Sequence, residues 1–208
     1  MNRMEALSGL WCKAVAVAAL SLWSATGAAQ LLGGSTTTTL TTGSSQASAA
    51  TAVLMGTVTS LADTGTLTDL SQPLDAGLAV GSIPGLLTAE TLHATTMGWT
   101  DQVASAASLS NLTMTVAGTG ISADFIQSRA LAVSGAVPTG LTSIEGLSIG
   151  GVPVSYTGAP NQSISLAGLT VTLNEQIQSA SGIIVNALRV RSLDGLTDVV
   201  VGSAKAGM

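Results

Sequence analysis

Clusters of glycine and proline interrupt the sequence after residue 50 at seven places, and this punctuation restricts the fold more than any other feature. Most of the segments between them have the length of one or two strands with their turns, and no segment combines helix caps with an apolar stripe at helical spacing. The interruptions lie at residues 84–85, 118–120, 135–140, 150–151, 158–160, 181–182 and 194–195. We therefore predict an all-β fold, an antiparallel β-sandwich that is jelly-roll-like. A β-solenoid is the second alternative, although no fixed repeat supports it.

Two segments show the alternation expected of a strand with one buried face. Leu169, Val171 and Leu173 alternate with polar residues, which predicts a strand. Between residues 103 and 117 the apolar positions change phase, from odd numbers at Leu109 to even numbers at Leu112. A bulge or turn near residues 110–111 would absorb that change.

The first 29 residues have the order of a secretory signal. Basic residues flank Glu5 at residues 1–13, an apolar stretch of ten residues follows at 14–23, and small residues occupy 24–29. We predict cleavage after Ala29, with an uncleaved N-terminal anchor as the alternative. Lipid attachment at Cys12 is rejected, because Leu10 and Trp11 precede it where small residues are needed.

The remaining chain is predicted to consist of a linker and one domain. Residues 30–50 are almost purely Gly, Ser, Thr and Ala, a composition that predicts a flexible spacer. Residues 51–208 form the predicted β domain, which has no cysteine and must be held by its core.

Charge and hydropathy exclude two classes of partner. Six basic residues against eleven acidic ones give a net charge of −5 without a basic stripe, so nucleic-acid binding is not expected. After residue 30 no apolar run is long enough to cross a bilayer, so we expect no stable membrane insertion once the signal is removed. We predict no cofactor.

Seven segments of the domain carry a resemblance to a known family. They are GLLTAETLHATTMG (residues 85–98), VASAASLSNLTMTV (103–116), SIEGLSIGGVPV (143–154), PNQSISL (160–166), GLTVTLNEQ (168–176), GIIVNALRVR (182–191) and DVVVGSAKAG (198–207). In order and spacing they resemble the bacterial choice-of-anchor P family. The resemblance implies a secreted or surface-displayed bacterial domain whose relatives carry various C-terminal sorting signals. This sequence ends in GSAKAGM without such a signal, so release is expected rather than anchoring.

Candidate reactive groups are few. Residues 146–150 read G-x-S-x-G around Ser148, the nucleophile-elbow pattern, but no helix pattern follows and the one histidine, His93, lies upstream. We interpret the motif as a glycine-flanked strand or turn, and His93 as an exposed strand residue. Asp63, Asp69 and Asp75 recur every six residues in a loop-like stretch, so a calcium site there is kept as an alternative to solvated acids.

Glu175 is the most informative charged residue. Extending the alternation from Leu173 aims Glu175 at the core and turns Asn174 and Gln176 outward, and a carboxylate in a core needs a cation or several donors. Its candidate partners are Arg129, Arg189 and Arg191. We assign Asn174, Glu175, Gln176 and Asn186 a structural role, and we assign no catalytic, cofactor-binding or metal-binding residue.

These features together predict an exported bacterial protein, secreted or extracellular, with the periplasm as the alternative location. We expect a structural or adhesive role without catalysis, and an unidentified surface or matrix component as its partner. One alternative is a subunit of an extracellular fibre or matrix that self-associates by strand-edge pairing. The other is a secreted hydrolase, which the scarcity of reactive groups and aromatic residues disfavours.

Overall fold

The computed structural model describes residues 45–208, and the predicted signal peptide and residues 30–44 of the predicted linker lie outside the described residues. No helix occurs in the described part, which consists of strands and turns. The strands are β1 Gln46–Leu54, β2 Thr57–Asp63, β3 Leu74–Ile83, β4 Leu87–Gly98, β5 Gln102–Val116, β6 Thr119–Val133, β7 Thr139–Glu145, β8 Ser148–Ile149, β9 Val152–Pro153, β10 Gln162–Leu166, β11 Leu169–Gln178, β12 Gly182–Ser192 and β13 Thr197–Gly207. The predicted all-β class is confirmed.

Two antiparallel sheets pack face to face, which confirms the predicted β-sandwich. Sheet A has the order β10-β11-β12-β13-β1-β2, and sheet B has the order β3-β4-β5-β6-β8-β9 with β7 also paired to β6. The strands form meanders, because the chain changes sheet only between β2 and β3 and between β9 and β10. The prediction of a jelly-roll-like connectivity is therefore wrong, because consecutive strands, apart from β7 and β8, are neighbours within each sheet. The solenoid alternative is excluded because every strand pair is antiparallel.

The core between the sheets is made mainly of aliphatic side chains, among them many alanines. Strand β13 faces β5 and β6 of the opposite sheet. Ala47 of β1 packs with Ala94 of β4 and Ala107 of β5 in a small cluster of its own. The largest fully buried side chains include Leu92, Leu109, Leu112, Met114, Ile121, Ile126, Leu169, Leu173, Ile183 and Leu188.

The predicted linker is wrong at its C-terminal end, because residues 46–50 belong to strand β1. Ala47, Ala49 and Ala50 are at most 1% exposed, and β1 is a central strand between β13 and β2. One alanine buries little apolar area, which is why the composition of this stretch suggested a spacer. In a central strand, however, its small side chain lets the two sheets approach closely.

A line of irregular residues crosses sheet A from β11 to β2, and we call it the bulge line. Each of these strands has one residue there without a cross-strand partner: Asn174, Ala187, Gly202, Ala49 and Ala62. Asn174, Gly202 and Ala62 have φ values of 51°, 62° and 47°, in the left-handed region. Because one residue in every strand is taken out of the pleat, the alternation of side chains reverses beyond this line.

Sheet B contains the irregularity that the sequence predicts near residues 110–111. Asn111 has φ 49° and no partner on β6, while Ser110 pairs with Phe125 and Leu112 with Ala123. Leu109 and Leu112 are both buried, each on the core side of its half of β5. The predicted bulge is confirmed, and β5 continues through it as one strand of 15 residues.

Candidate functional site

Glu175 lies on the outer face of sheet A, not on the core side that the alternation predicts. Its cross-strand partner is Asn186, whereas Gln176 pairs with Val185, which packs in the core with Ala130 and Ala204. The left-handed Asn174 causes this reversal, because it takes one residue out of the pleat just before Glu175. The prediction that Asn174 and Gln176 point outward is wrong for the same reason.

Glu175 is nevertheless only 8% exposed, because three donor groups form four hydrogen bonds with its carboxylate. Arg189 Nη1 donates to Oε1 at 3.0 Å and to Oε2 at 3.1 Å, and Asn186 Nδ2 donates to Oε2 at 2.7 Å. Arg191 Nη2 donates to Oε1 at 3.3 Å. Two of the three arginines proposed as partners therefore hold Glu175, while Arg129 lies on β6 in the other sheet.

Arg189 is the centre of this network, because it also binds Asp198. Its Nε and Nη2 atoms donate to the two carboxylate oxygens of Asp198 at 3.0 and 2.6 Å, a bidentate pair. The hydrogen bonds to Asp198 raise the pKa of Arg189 above its ordinary value, against the opposing effect of burial. The guanidinium therefore stays charged and joins β11, β12 and β13 next to the bulge line.

Asn174 and Gln176 point towards sheet B and connect the two sheets. Asn174 Oδ1 accepts hydrogen bonds from Thr142 Oγ1 and from Gln176 Nε2, both at 2.9 Å. Asn174 Nδ2 donates to Gly158 O at 3.0 Å, and Gln176 Nε2 also donates to Gly140 O at 3.3 Å. These amides tie β11 to β7, which is consistent with the structural role predicted for them.

The outer face of sheet A is concave around the ion pairs and carries both polar and aliphatic side chains. It encloses a cavity of about 420 Å³ between β11 at one side and β2 at the other. Burial lowers the pKa of Lys205 in this cavity from its ordinary value of 10.5. The polar residues that line it are Gln46, Ser48, Thr51, Ser60, Asp63, Asn186, Arg189, Asp198, Ser203 and Lys205.

The three aspartates considered for calcium lie apart, each with its own partners. Asp63 ends β2 and accepts from Gln46 Nε2 and Gly65 N, both at 2.8 Å. Asp75 lies in β3, with Oδ1 2.7 Å from His93 Nε2, so the loop-like placement holds only for Asp69. Within residues 45–208, no group of three His, Cys, Asp or Glu side chains is arranged to hold a metal ion.

Ser148 lies in a short hairpin, as the turn interpretation of its motif predicts. It begins the two-residue strand β8, which pairs with β9, and Gly146 and Gly150 on either side have φ values of 63° and 59°. A nucleophile elbow would need a helix after the serine, and here a second strand follows. Over the same residues, no helix has the length and hydropathy needed to cross a membrane.

Sequence reasoning missed Asp198 and the bulge line, which together determine the shape of this site. A lone acid before the apolar run of β13, beside a strand that reads RVR, was a signal for an ion pair between neighbouring strands. Comparison of the chain with protein-family models, with curated proteins and with solved structures finds no match. The function is therefore inferred from the chain's own residues.

Proposed function

We propose that this chain is an exported bacterial domain with a structural or adhesive role at the cell surface or outside the cell, and that it is not an enzyme. The charged, apolar and small segments of residues 1–29 support export. The seven segments that resemble the choice-of-anchor P family support a displayed or secreted bacterial domain. We further propose that the outer face of sheet A is the surface that contacts the partner.

The ion-pair network of that face is the observation that carries the proposal. Glu175 and Asp198 share Arg189 within hydrogen-bond distance across three strands, and Arg191 balances the second negative charge. A buried carboxylate that already bonds two arginines and an amide is well suited to fixing strands in place. The network thus stiffens a concave face whose other lining groups are hydroxyls, amides, Asp63, Lys205 and five aliphatic side chains. The hydroxyls and amides among them form adaptable contacts with a polar surface.

Export is tested by intact-mass analysis of the protein recovered from a bacterial expression culture. Loss of about 29 residues from the N-terminus, with the product in the medium or the periplasm, is expected. A product that still begins at Met1 and sediments with washed membranes would contradict export with release.

The contact face is tested by placing one new charge on each sheet. Ser60 lies on the outer face of sheet A and Thr113 on the outer face of sheet B, and both are exposed. We expect Ser60→Lys to reduce binding of the purified protein to cell-surface or matrix preparations, and Thr113→Lys to leave it unchanged. Equal effects of the two substitutions would refute the assignment of the face.

A second candidate function, a fibre or matrix subunit, is favoured by the free edge of sheet B. Within residues 45–208, strand β3 pairs with β4 alone, and its ten residues include no lysine or proline to discourage a further strand. Leu78 and Val80 on this edge are 41% and 67% exposed. Such an edge can add a strand from another copy of the chain.

The fibre hypothesis predicts a size distribution that grows with protein concentration. Val80→Lys should shift sedimentation to the monomer, whereas Val137→Lys, the same change at an exposed valine in a loop, should not. A parent protein that stays monomeric at every concentration would exclude assembly through this edge.

A further inference from the structure

A second concavity lies on the outer face of sheet B, on the opposite side of the sandwich from the Glu175 network. Its volume is about 410 Å³, within the range of small-molecule sites. Unlike the concave face of sheet A, it is lined chiefly by apolar side chains. The lining residues are Thr95 and Met97 of β4, Ala104 and Ala106 of β5, Arg129 and Leu131 of β6, and Thr139 and Leu141 of β7.

The register of the strands explains why this concavity is a groove. Ala104 and Ala106 form its floor, because Met97 is beside Ala104 on one side and Leu131 on the other. Backbones two strands apart are separated by about 9 to 10 Å, so the longer side chains of β4 and β6 leave space for one extended chain above the alanines. Leu131 and Leu141 remain 36% and 70% exposed there.

Among the described residues, Arg129 is the one charged residue that lines this groove. It forms no ion pair with any carboxylate in the described part of the chain. The nearest acid in its cross-strand row is Asp75, three strands away at about 14 Å, and that carboxylate is bound to His93. A guanidinium among apolar walls is suited to a carboxylate attached to a hydrocarbon chain.

We propose that the groove over β5 binds a single-chain amphiphile with a carboxylate head group, of the long-chain fatty acid class, as a free monomer. Its alkyl chain lies over Ala104 and Ala106, between Met97 and Leu131, and its carboxylate pairs with Arg129. This site is distinct from the proposed contact face, because it lies on the other sheet and uses none of the same residues.

Calorimetric titration of the full chain with dodecanoate below its micelle concentration tests the proposal. Dodecyltrimethylammonium, which has the same chain length and a positive head group, is the control ligand. The chain carries a net charge of −5, so non-specific electrostatics would favour the cation. We expect saturable binding of dodecanoate and at least tenfold weaker binding of the cation. Amide shifts in a ¹⁵N spectrum should cluster on β4, β5 and β6 around Ala104 and Ala106.

Two pairs of variants separate head-group recognition from the shape of the groove. Arg129→Gln should weaken dodecanoate binding by about three- to tenfold, whereas Thr113→Asp, which makes the same change in net charge elsewhere on β5, should not. Ala106→Leu should fill the floor and abolish binding, whereas Thr113→Leu should not. These exposed or half-exposed positions lie outside the core, so circular dichroism is expected to show an unchanged fold.

Three results would overturn the proposal. The first is equal affinity for the two head groups, which would make the groove merely apolar. The second is a cluster of amide shifts that lies outside β4 to β7, or binding that survives Ala106→Leu. The third is binding to anionic vesicles without any binding of monomeric dodecanoate, which would assign the surface to membranes instead.

Discussion

Removing the Glu175 carboxylate should destabilise the domain by an amount that the contacts of Arg189 determine. Breaking a buried ion pair typically costs about 3–5 kcal/mol, because the remaining charge loses its partner. Here Arg189 keeps both hydrogen bonds to Asp198, so the lower end of that range applies to Glu175→Ala, about 3 kcal/mol. At about 2–4 °C per kcal/mol for a chain of this size, Tm should fall by about 6–12 °C.

The matched substitutions give an order of effects. Glu175→Gln keeps the shape and one acceptor oxygen, so it should cost less, about 1–2 kcal/mol. Arg189→Ala should cost more than Glu175→Ala, because it deprives two carboxylates of their shared partner. Asp69→Ala removes an acid whose side chain is bonded to Ser71 in an exposed loop, so this protein should melt at the same temperature as the parent.

Thermal unfolding followed by circular dichroism measures all four variants and the double variant of Glu175 and Arg189. Because the two residues share one network, the double variant should cost less than the sum of its single variants. A Glu175→Ala protein that melts within about 2 °C of the parent would show that the carboxylate contributes nothing to the sheet. So would equal effects of Glu175→Ala and Asp69→Ala.

Three further predictions concern the bulge line and the alkaline range. Gly202→Ala should cost about 2–4 kcal/mol in chemical denaturation, because Gly202 has a left-handed φ and the added methyl group would lie 3.2 Å from Ala187 and Ile126. Gly195→Ala also has a left-handed φ, but its methyl group would meet open space, so it should cost only about 1–2 kcal/mol. Tyr156 is the one tyrosine of the chain, and burial raises its pKa, so a titration followed by absorbance at 295 nm should give a midpoint above 10.0. The stability that the neutral Tyr156 side chain contributes should be lost as pH rises through that midpoint, and a Tyr156→Phe protein should not show this loss. Lys205→Met should melt above the parent at pH 7, because burial lowers the pKa of Lys205 and disfavours its charged form. The difference in Tm between the two proteins should shrink as pH approaches 10.5, and a difference that stays constant would contradict this.

The sequence predicts the strands of this fold better than their faces. At residues 109–112 the phase change is visible, because buried apolar residues stand on both sides of Asn111 and must face the same core. At Asn174 it is hidden, because the residues that follow are Glu175, Gln176 and a half-exposed Ile177. Asparagine is one of the few residues that tolerates the left-handed region, but that tolerance alone does not say that it is used.

For a related reason, the ion-pair network could be predicted from the sequence only in part. A carboxylate near the end of a strand needs a cation, and three arginines were available as partners. The choice among them depends on which strands are neighbours and on their register, and both are properties of the sheet and not of any single segment. Asp198 becomes a partner of Arg189 only because β13 lies beside β12, in a register that puts Arg191 opposite Asp198 and Arg189 two residues away along β12.

The pairing of β1 with β13 has a mechanical consequence. Gln46 is opposite Lys205 at one end of this ladder, and Leu54 is opposite Thr197 at the other. Ser45 Oγ bonds to both the amide and the carbonyl of Gly207. The polypeptide therefore enters and leaves the sheet at the same end of one ladder. Tension between residues 45 and 207 therefore opens that ladder like a zipper, breaking one pair after another, and does not shear all of its hydrogen bonds at once. A domain connected in this way yields at low force when it is stretched between two attachments, and it bears no load along this seam when it is held by one end alone.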